Sequence, residues 1–264
     1  MSFSGKYIWI TGASSGIGRA VATELSKEKP TLILSGRDEE ALRQTAASCE
    51  KNGCSTIIVP FDLADESSIK NAVQSIVENG IIPHCLYLFG GISQRSLAQE
   101  TPVDIDRKIF EVNFFGTITL TKAILPLMIE NGGGHIAVTS SIVGKFGFPW
   151  RSAYSASKHA LHGFYESLRA ENSKFNIRVS VIIPGRIRTA ISINALEKNG
   201  APHGKMDEGQ AHGMDAEKCA KKIYNRLKKE KKEILVGGKE VIMVYIRKYF
   251  PPLYYFLATK VKPL

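Results

Sequence analysis

Tyr154 and Lys158 stand four residues apart in the stretch Tyr154-Ser-Ala-Ser-Lys158, a spacing that puts a phenol and an ammonium on one face of a helix. A cation in that place favours the phenolate and lowers the tyrosine pKa from about 10, which makes a proton donor for a carbonyl under reduction. Chance also supplies such pairs in a lysine-rich chain, and a second one, Tyr224 with Lys228, does occur. That pair lies in a basic stretch with no serine upstream at the matching distance, and it reads as a solvated face. Upstream of Tyr154 is Ser141, just past the β-rich run His135–Thr139. Its hydroxyl would orient a substrate oxygen or, like that of Ser140, cap a local turn. Asn113 interrupts an apolar helical run, either as a satisfied core amide or as part of a proton relay.

A second constellation lies near the N-terminus. Thr11-Gly-Ala-Ser-Ser-Gly-Ile-Gly18 follows a β-rich run and opens a helical pattern. Glycines at 12, 16 and 18 allow a tight turn and close approach of the backbone to a pyrophosphate, which would rest on the N–H groups of Ser14, Ser15, Gly16 and Ile17 at the helix start. The alternative is a tight β–α turn without a ligand; no Gly-Lys-Ser/Thr closes it as a nucleotide-triphosphate loop would require. The next β-rich run ends Leu34-Ser-Gly-Arg37. An acidic residue at that strand end would bind a ribose 2′-hydroxyl, whereas Arg37 suits a 2′-phosphate unless it is a solvated surface arginine, so the cofactor expected is NADP(H). Asp38 reads as a helix cap, and Asp62, followed by Leu63, either accepts from an adenine amino group or caps its own loop.

These residues need elements to hold them. Seven β-rich runs, starting near residues 7, 31, 55, 84, 135, 177 and 234, alternate with helix-length amphipathic stretches, the longest over roughly 104–131. Val, Ile and Leu fill the strands without strict alternation, as in strands covered on both faces. The pattern predicts an α/β fold with a doubly wound parallel sheet, a single domain over 1–238. Irregular, glycine-rich residues 184–213 would form a lid over the site, and 239–264 a C-terminal extension.

At 264 residues with 44% hydrophobic residues, the chain is long enough for one substantial core, which excludes collagen-like and disordered classes. No run of 18 apolar residues occurs, so no membrane-spanning helix is expected. Four cysteines without a CxxC pair fit a reducing, cytoplasmic setting and no metal; His159 and His162 have no acidic or cysteine partner at ligand spacing and read as structural. The net charge of +10 falls entirely after residue 217, where thirteen basic residues face Glu230, Glu233 and Glu240. That distribution describes a neutral domain with a basic tail, and nucleic acid is not expected as a partner. Aromatic residues Tyr245, Tyr249, Phe250, Tyr254, Tyr255 and Phe256 suit a homo-oligomer interface, dimer or tetramer, a cover over the substrate mouth, or peripheral contact with an anionic membrane. Phe146, Phe148, Trp150, Met206 and Met214 predict an apolar pocket wall, unless the aromatics among them pack the core or a subunit interface.

Taken in order, Thr11–Gly18, Asp62, Asn113, Ser141 with Tyr154 and Lys158, and Pro184-Gly-Arg-Ile-Arg-Thr189 resemble the short-chain dehydrogenase/reductase family. Tyr154–Phe164 and Gly91–Ser96 look most like its 11-beta-hydroxysteroid-dehydrogenase-like members, many of them NADP users acting on lipophilic carbonyls or alcohols. The resemblance implies a seven-stranded parallel, Rossmann-type sheet and a catalytic tetrad of Asn113, Ser141, Tyr154 and Lys158. It also implies that Lys158 binds the nicotinamide ribose and that Pro184, Gly185, Ile187 and Thr189 flank the nicotinamide, with Gly90 and Gly91 beside the cofactor. The expected reaction is hydride transfer between NADP(H) and a carbonyl or secondary alcohol. A 3-oxoacyl or sphingoid-base ketoreductase, or a catalytically idle NADP(H)-binding regulator, are the alternatives. Where the family usually has Asn-Asn-Ala-Gly, this chain has Leu88-Phe89-Gly90-Gly91, so hydrogen bonds made by those asparagines must be replaced.

Overall fold

A computed structural model describes residues 1–260; the last four residues of the expected extension, 261–264, lie outside them. Seven strands form one sheet: β1 (Tyr7–Thr11), β2 (Thr31–Ser35), β3 (Ser55–Ile58), β4 (Cys85–Leu88), β5 (Gly134–Thr139), β6 (Ile177–Pro184) and β9 (Glu233–Val236). A separate short pair joins β7 (Ile187–Arg188) to β8 (Met214–Asp215). The main sheet is parallel throughout, in the order β3-β2-β1-β4-β5-β6-β9. All seven predicted strands are present, and the α/β doubly wound class holds.

Strand pleating explains how one sequence serves two cores. Side chains alternate between faces, so Ile8 and Ile10 join one cluster while Trp9 between them joins the other. On the first face pack α1 (Gly16–Ser26), α2 (Glu39–Glu50) and α8 (Ala216–Lys228), through residues such as Val21, Leu42 and Ile223. On the second pack α3 (Glu66–Glu78), α5 (Gly116–Glu130) and α6 (Ser152–Glu171), through Ile69, Ile124 and Leu161. Asp38, Asp65 and Asp215 cap α2, α3 and α8 with their carboxylates, accepting from first-turn N–H groups and so satisfying donors the helix cannot.

The long helix expected over 104–131 is not uniform. It runs as α4 (Val103–Phe110), one π turn (Glu111–Phe115) and α5. The continuous helical stretch Val103–Glu130 is long and apolar enough, by length and composition, to cross a membrane, contrary to the sequence expectation. Ile109, Leu120, Ile124 and Met128 are fully buried in the fold, which is the setting of a core helix. After a short α7 (Glu208–Ala211), the chain ends in α9 (Ile242–Tyr249) and α10 (Pro251–Ala258), with the two prolines at the start of α10 where a missing N–H costs nothing. Going outward from β1, the connectivity reverses between β1 and β4, and the large cleft opens at the C-terminal ends of those strands, as expected for this topology.

Candidate active site

The cleft has a volume of about 910 Å³. Its inner half is the glycine turn. Gly12 and Gly16 have φ of +65° and +54°, the left-handed region that glycine alone adopts freely. A Cβ on Gly12 would sit 2.7 Å from the Gly90 nitrogen, and one on Gly18 would collide with the Gly12 carbonyl oxygen, so β1, β4 and α1 meet only because these side chains are absent. The first-turn N–H groups of α1 have no intrahelical acceptor and point into the cleft end. Ser15 holds the N-cap position without bonding its side chain to the turn, and Ser14, Ile17, Arg37, Asp62 and Leu63 complete the wall. Asp62 Oδ1 accepts from the Ala64 N–H at 2.9 Å, so its local-cap role is realised. This cradle, with its orphan donors and its lack of Cβ atoms, fits a dinucleotide pyrophosphate.

At the other end β5, the π turn and α6 bring the tetrad residues together. The π turn rotates Asn113 inward, where it is fully buried. Its Oδ1 accepts from the Ile92 N–H at 2.8 Å, and its Nδ2 donates to the Ile92 carbonyl at 3.0 Å and to Ser157 Oγ at 3.0 Å. The amide is thus satisfied, and it fixes the strand exit that carries Gly91. A Cβ on Gly91 would lie 2.9 Å from Asn113 Oδ1 and 3.3 Å from Lys158 Nζ; only glycine leaves the ammonium room. Ser141 accepts from the Val143 N–H at 3.4 Å and donates to the Pro184 carbonyl at 3.5 Å, with its hydroxyl on the Tyr154 side of the cleft. Ser140 instead donates to the Lys158 carbonyl at 2.9 Å, pinning α6 to β5. Gly90, Pro184, Gly185, Ile187 and Thr189 all line the cleft between the two ends.

The model of the short chain dehydrogenase family matches residues 6–200. The chain is 41% identical over 251 residues to mouse (Mus musculus) dehydrogenase/reductase SDR family member 7B, an alignment covering 93% of this chain and 78% of that protein. It belongs to the short-chain dehydrogenase/reductase family. Among solved structures, a family member from Burkholderia phymatum in complex with NAD superposes with a TM-score of 0.84 at 23% identity, covering 96% of each chain. L-Sorbose reductase from Gluconobacter frateurii, solved with NADPH and L-sorbose, gives a TM-score of 0.78 at 25% identity, covering 89% of this chain and 97% of that one.

Several expectations for this short-chain dehydrogenase/reductase need correcting. Burial raises the pKa of the Tyr154 phenol, against the lowering expected from Lys158. The Ser141 bond and the cations Arg95 and Arg151 oppose that rise. Lys158 Nζ donates to the Thr139 carbonyl at 2.8 Å and lies 5.8 Å from the centre of the phenol ring; its own pKa is pushed down by burial to about 8. Tyr224 and Lys228 do lie on a solvent-facing side of α8, with Lys228 exposed, and there both bond Glu28 and tie α8 to the end of α1. His162 does acquire acidic neighbours in the fold, Glu166 at 3.7 Å and Glu233 from β9, although Glu233 already pairs with Lys145 at 2.5 Å. Trp150 and Met206 are absent from the cleft wall, whereas Phe146, Phe148 and Met214 are in it and Val143, Ile191 and Met243 join them. The missing asparagines are replaced by packing: Leu88 is buried in the core, and the Gly90 N–H donates to Thr11 Oγ1 at 3.3 Å.

Sequence reasoning missed a buried charge cluster altogether. Asp207, from the lid, accepts from Arg95 Nε at 3.0–3.1 Å and Nη2 at 2.6 Å, and from Arg151 Nη2 at 2.9 Å. Burial opposes ionisation of Asp207, but its bonds to Arg95 and the two positive charges hold its pKa below the usual value; burial and Arg95 together pull Arg151 down to about 10. The lid is further stitched down by the Arg95 N–H to Leu196 carbonyl bond and by Leu196 N–H to Ser93 carbonyl, each 2.8 Å. No motif announces this cluster, because its members lie 112 and 56 residues apart in the chain.

Proposed function

We propose that this chain is an NADP(H)-dependent oxidoreductase that interconverts a carbonyl and a secondary alcohol on a lipophilic substrate. One observation carries the reading: a buried phenol, with a serine hydroxyl beside it and three cations around it, stands where the glycine cradle meets an apolar wall. Ser14 to Gly18 would hold the pyrophosphate, Lys158 the nicotinamide-side ribose, and Pro184 to Thr189 the nicotinamide edge. A bound nicotinamide supplies or accepts the hydride. The chain does the rest. Ser141 orients the substrate oxygen, and Tyr154, kept protonated at neutral pH by its burial, donates its proton to that oxygen. Arg95 and Arg151 stabilise the phenolate left behind, and Lys158 adds its charge whenever it is protonated. Alcohol oxidation runs the same residues backwards and is favoured as pH rises.

Arg37 supports the choice of NADP(H), since relatives of this fold have been solved with either dinucleotide. Val143, Phe146, Phe148 and Met243 support the lipophilic substrate. The test follows NADPH and NADH oxidation across ketosteroids, 3-oxoacyl thioesters, 3-ketosphingoid bases and short ketones. Loss of one charge-assisted bond in Arg37→Asp is expected to cut the NADPH-over-NADH preference about tenfold to a hundredfold. An unchanged preference refutes the cofactor assignment, and no turnover with any carbonyl refutes the enzyme.

A further inference from the structure

Of the twelve large apolar or aromatic residues most exposed among the described residues, seven fall between 242 and 256: Ile242, Tyr245, Tyr249, Phe250, Leu253, Tyr255 and Phe256. Scattered apolar side chains at a surface are ordinary, whereas a contiguous group marks a contact face. Here the group has a defined inner side. Met243, Val244 and Ile246 turn towards the core, and Tyr254 is buried with its hydroxyl donating to the Gly147 carbonyl at 2.5 Å. The two helices are therefore anchored, and their outer faces are what remains uncovered.

The charges on this face select its occupant. Residues 239–264 contain five basic residues and one acid, Glu240. That carboxylate is spent inward, accepting from the Arg186 N–H at 2.7 Å and the Gly238 N–H at 2.9 Å. The cations instead ride on the rings: Arg247 over Tyr254 and Tyr255, Lys248 over Tyr249 and Lys260 over Phe256, at 5.2 to 5.7 Å from the ring centres. Rings with adjoining cations suit the headgroup layer, where aromatic edges sit at the apolar boundary and ammonium or guanidinium groups meet phosphates. Two copies of this face brought together would oppose like charges, which a subunit interface core avoids.

We propose that the outer face of α9 and α10 docks on an anionic lipid surface, with the mouth of the cleft beside it. Lys239, Glu240 and Met243, at the start of this segment, line the cleft itself. A lipophilic substrate then enters from the bilayer without crossing water. This entry route rests on the function proposed above, whereas the docking does not.

Co-sedimentation of the full chain with vesicles of phosphatidylcholine, alone or with phosphatidylserine, tests the docking at low and high salt. Binding is expected only with the anionic vesicles and is expected to weaken with salt. Each basic residue near such a surface is worth about a fivefold change in partitioning, so Lys248→Ala/Lys260→Ala is expected to bind roughly thirtyfold more weakly. Phe250→Ser/Phe256→Ser is expected to lose binding at either salt while retaining NADPH oxidation with a water-soluble ketone, which separates this proposal from the enzymatic one. Absence of binding to anionic vesicles at low salt overturns it. So does a stable dimer in light scattering that the Phe250→Ser/Phe256→Ser variant dissociates, because the face would then be a subunit contact.

Discussion

Asp207→Asn is the perturbation that most directly probes how the lid and the chemistry are joined. The carboxylate is buried, its side chain 5% exposed, between Arg95 at 3% and Arg151 at 12%. Neutralising it removes the negative charge that both buried guanidinium groups bond. Breaking a buried pair in this way costs about 3–5 kcal/mol, because the remaining charge keeps its desolvation penalty. In a domain of this size that corresponds to a fall in Tm of roughly 10 °C. The damage should not be confined to stability. Asp207 fastens the lid to the strand exit through Arg95, so a loosened lid raises the KM for the carbonyl substrate more than it lowers kcat. The two guanidinium charges, no longer offset by Asp207, also draw the Tyr154 phenol towards ionisation, which moves the limb of the pH–rate profile governed by that phenol to lower pH. Thermal unfolding and a pH series of initial rates measure all three effects. Adding Arg95→Gln to Asp207→Asn is expected to recover part of the stability, since the buried Arg95 charge goes together with the carboxylate it pairs. A Tm within about 2 °C of the parent together with an unchanged KM would refute the latch.

Gly18→Ala places a methyl group against the Gly12 carbonyl, so dinucleotide binding measured by fluorescence titration is expected to weaken by at least tenfold; wild-type affinity would mean that the turn does not need close packing. Tyr154→Phe removes the proton donor and is expected to lower kcat by about two to four decades with dinucleotide affinity nearly intact, and full activity would exclude the phenol as the acid. Acid stability supplies a fourth check. Burial pushes His135 down to about 3 and His162 to about 4, so between those values and the unfolded value of 6.5 the unfolded chain binds more protons than the native one. Stability therefore falls as pH drops through 6.5, by about 2 kcal/mol per histidine at pH 5. Urea titrations at pH 7 and pH 5 measure this; His162→Gln should reduce the loss, and a pH-independent midpoint would sink the assignment.

The seven strands could be read from the sequence because parallel strands buried on both faces leave short, dense runs of Val, Ile and Leu, and here each run is punctuated by glycine or a capping aspartate. The glycine turn and the Tyr154–Lys158 pair were equally legible, since each is local and its chemistry follows from spacing. What spacing cannot convey is burial. A four-residue interval places Lys158 near Tyr154, but the ammonium is drawn to the Thr139 carbonyl, and the phenol responds first to losing water and only then to charge. The charges that do reach it come from Arg95 and Arg151, which lie in a loop and at a helix start with nothing local to distinguish them from surface arginines. Their role depends on Asp207 folding back across the cleft. The π turn has the same character: Asn113 is legible as an anomaly in an apolar helix, yet only the extra residue in that turn aims it at Ile92 and Ser157. In this family member, local sequence fixes which groups are present at the site. Their ionisation is decided by the lid, a segment whose own sequence carries no catalytic signature, and variants there should shift pH profiles before they abolish turnover.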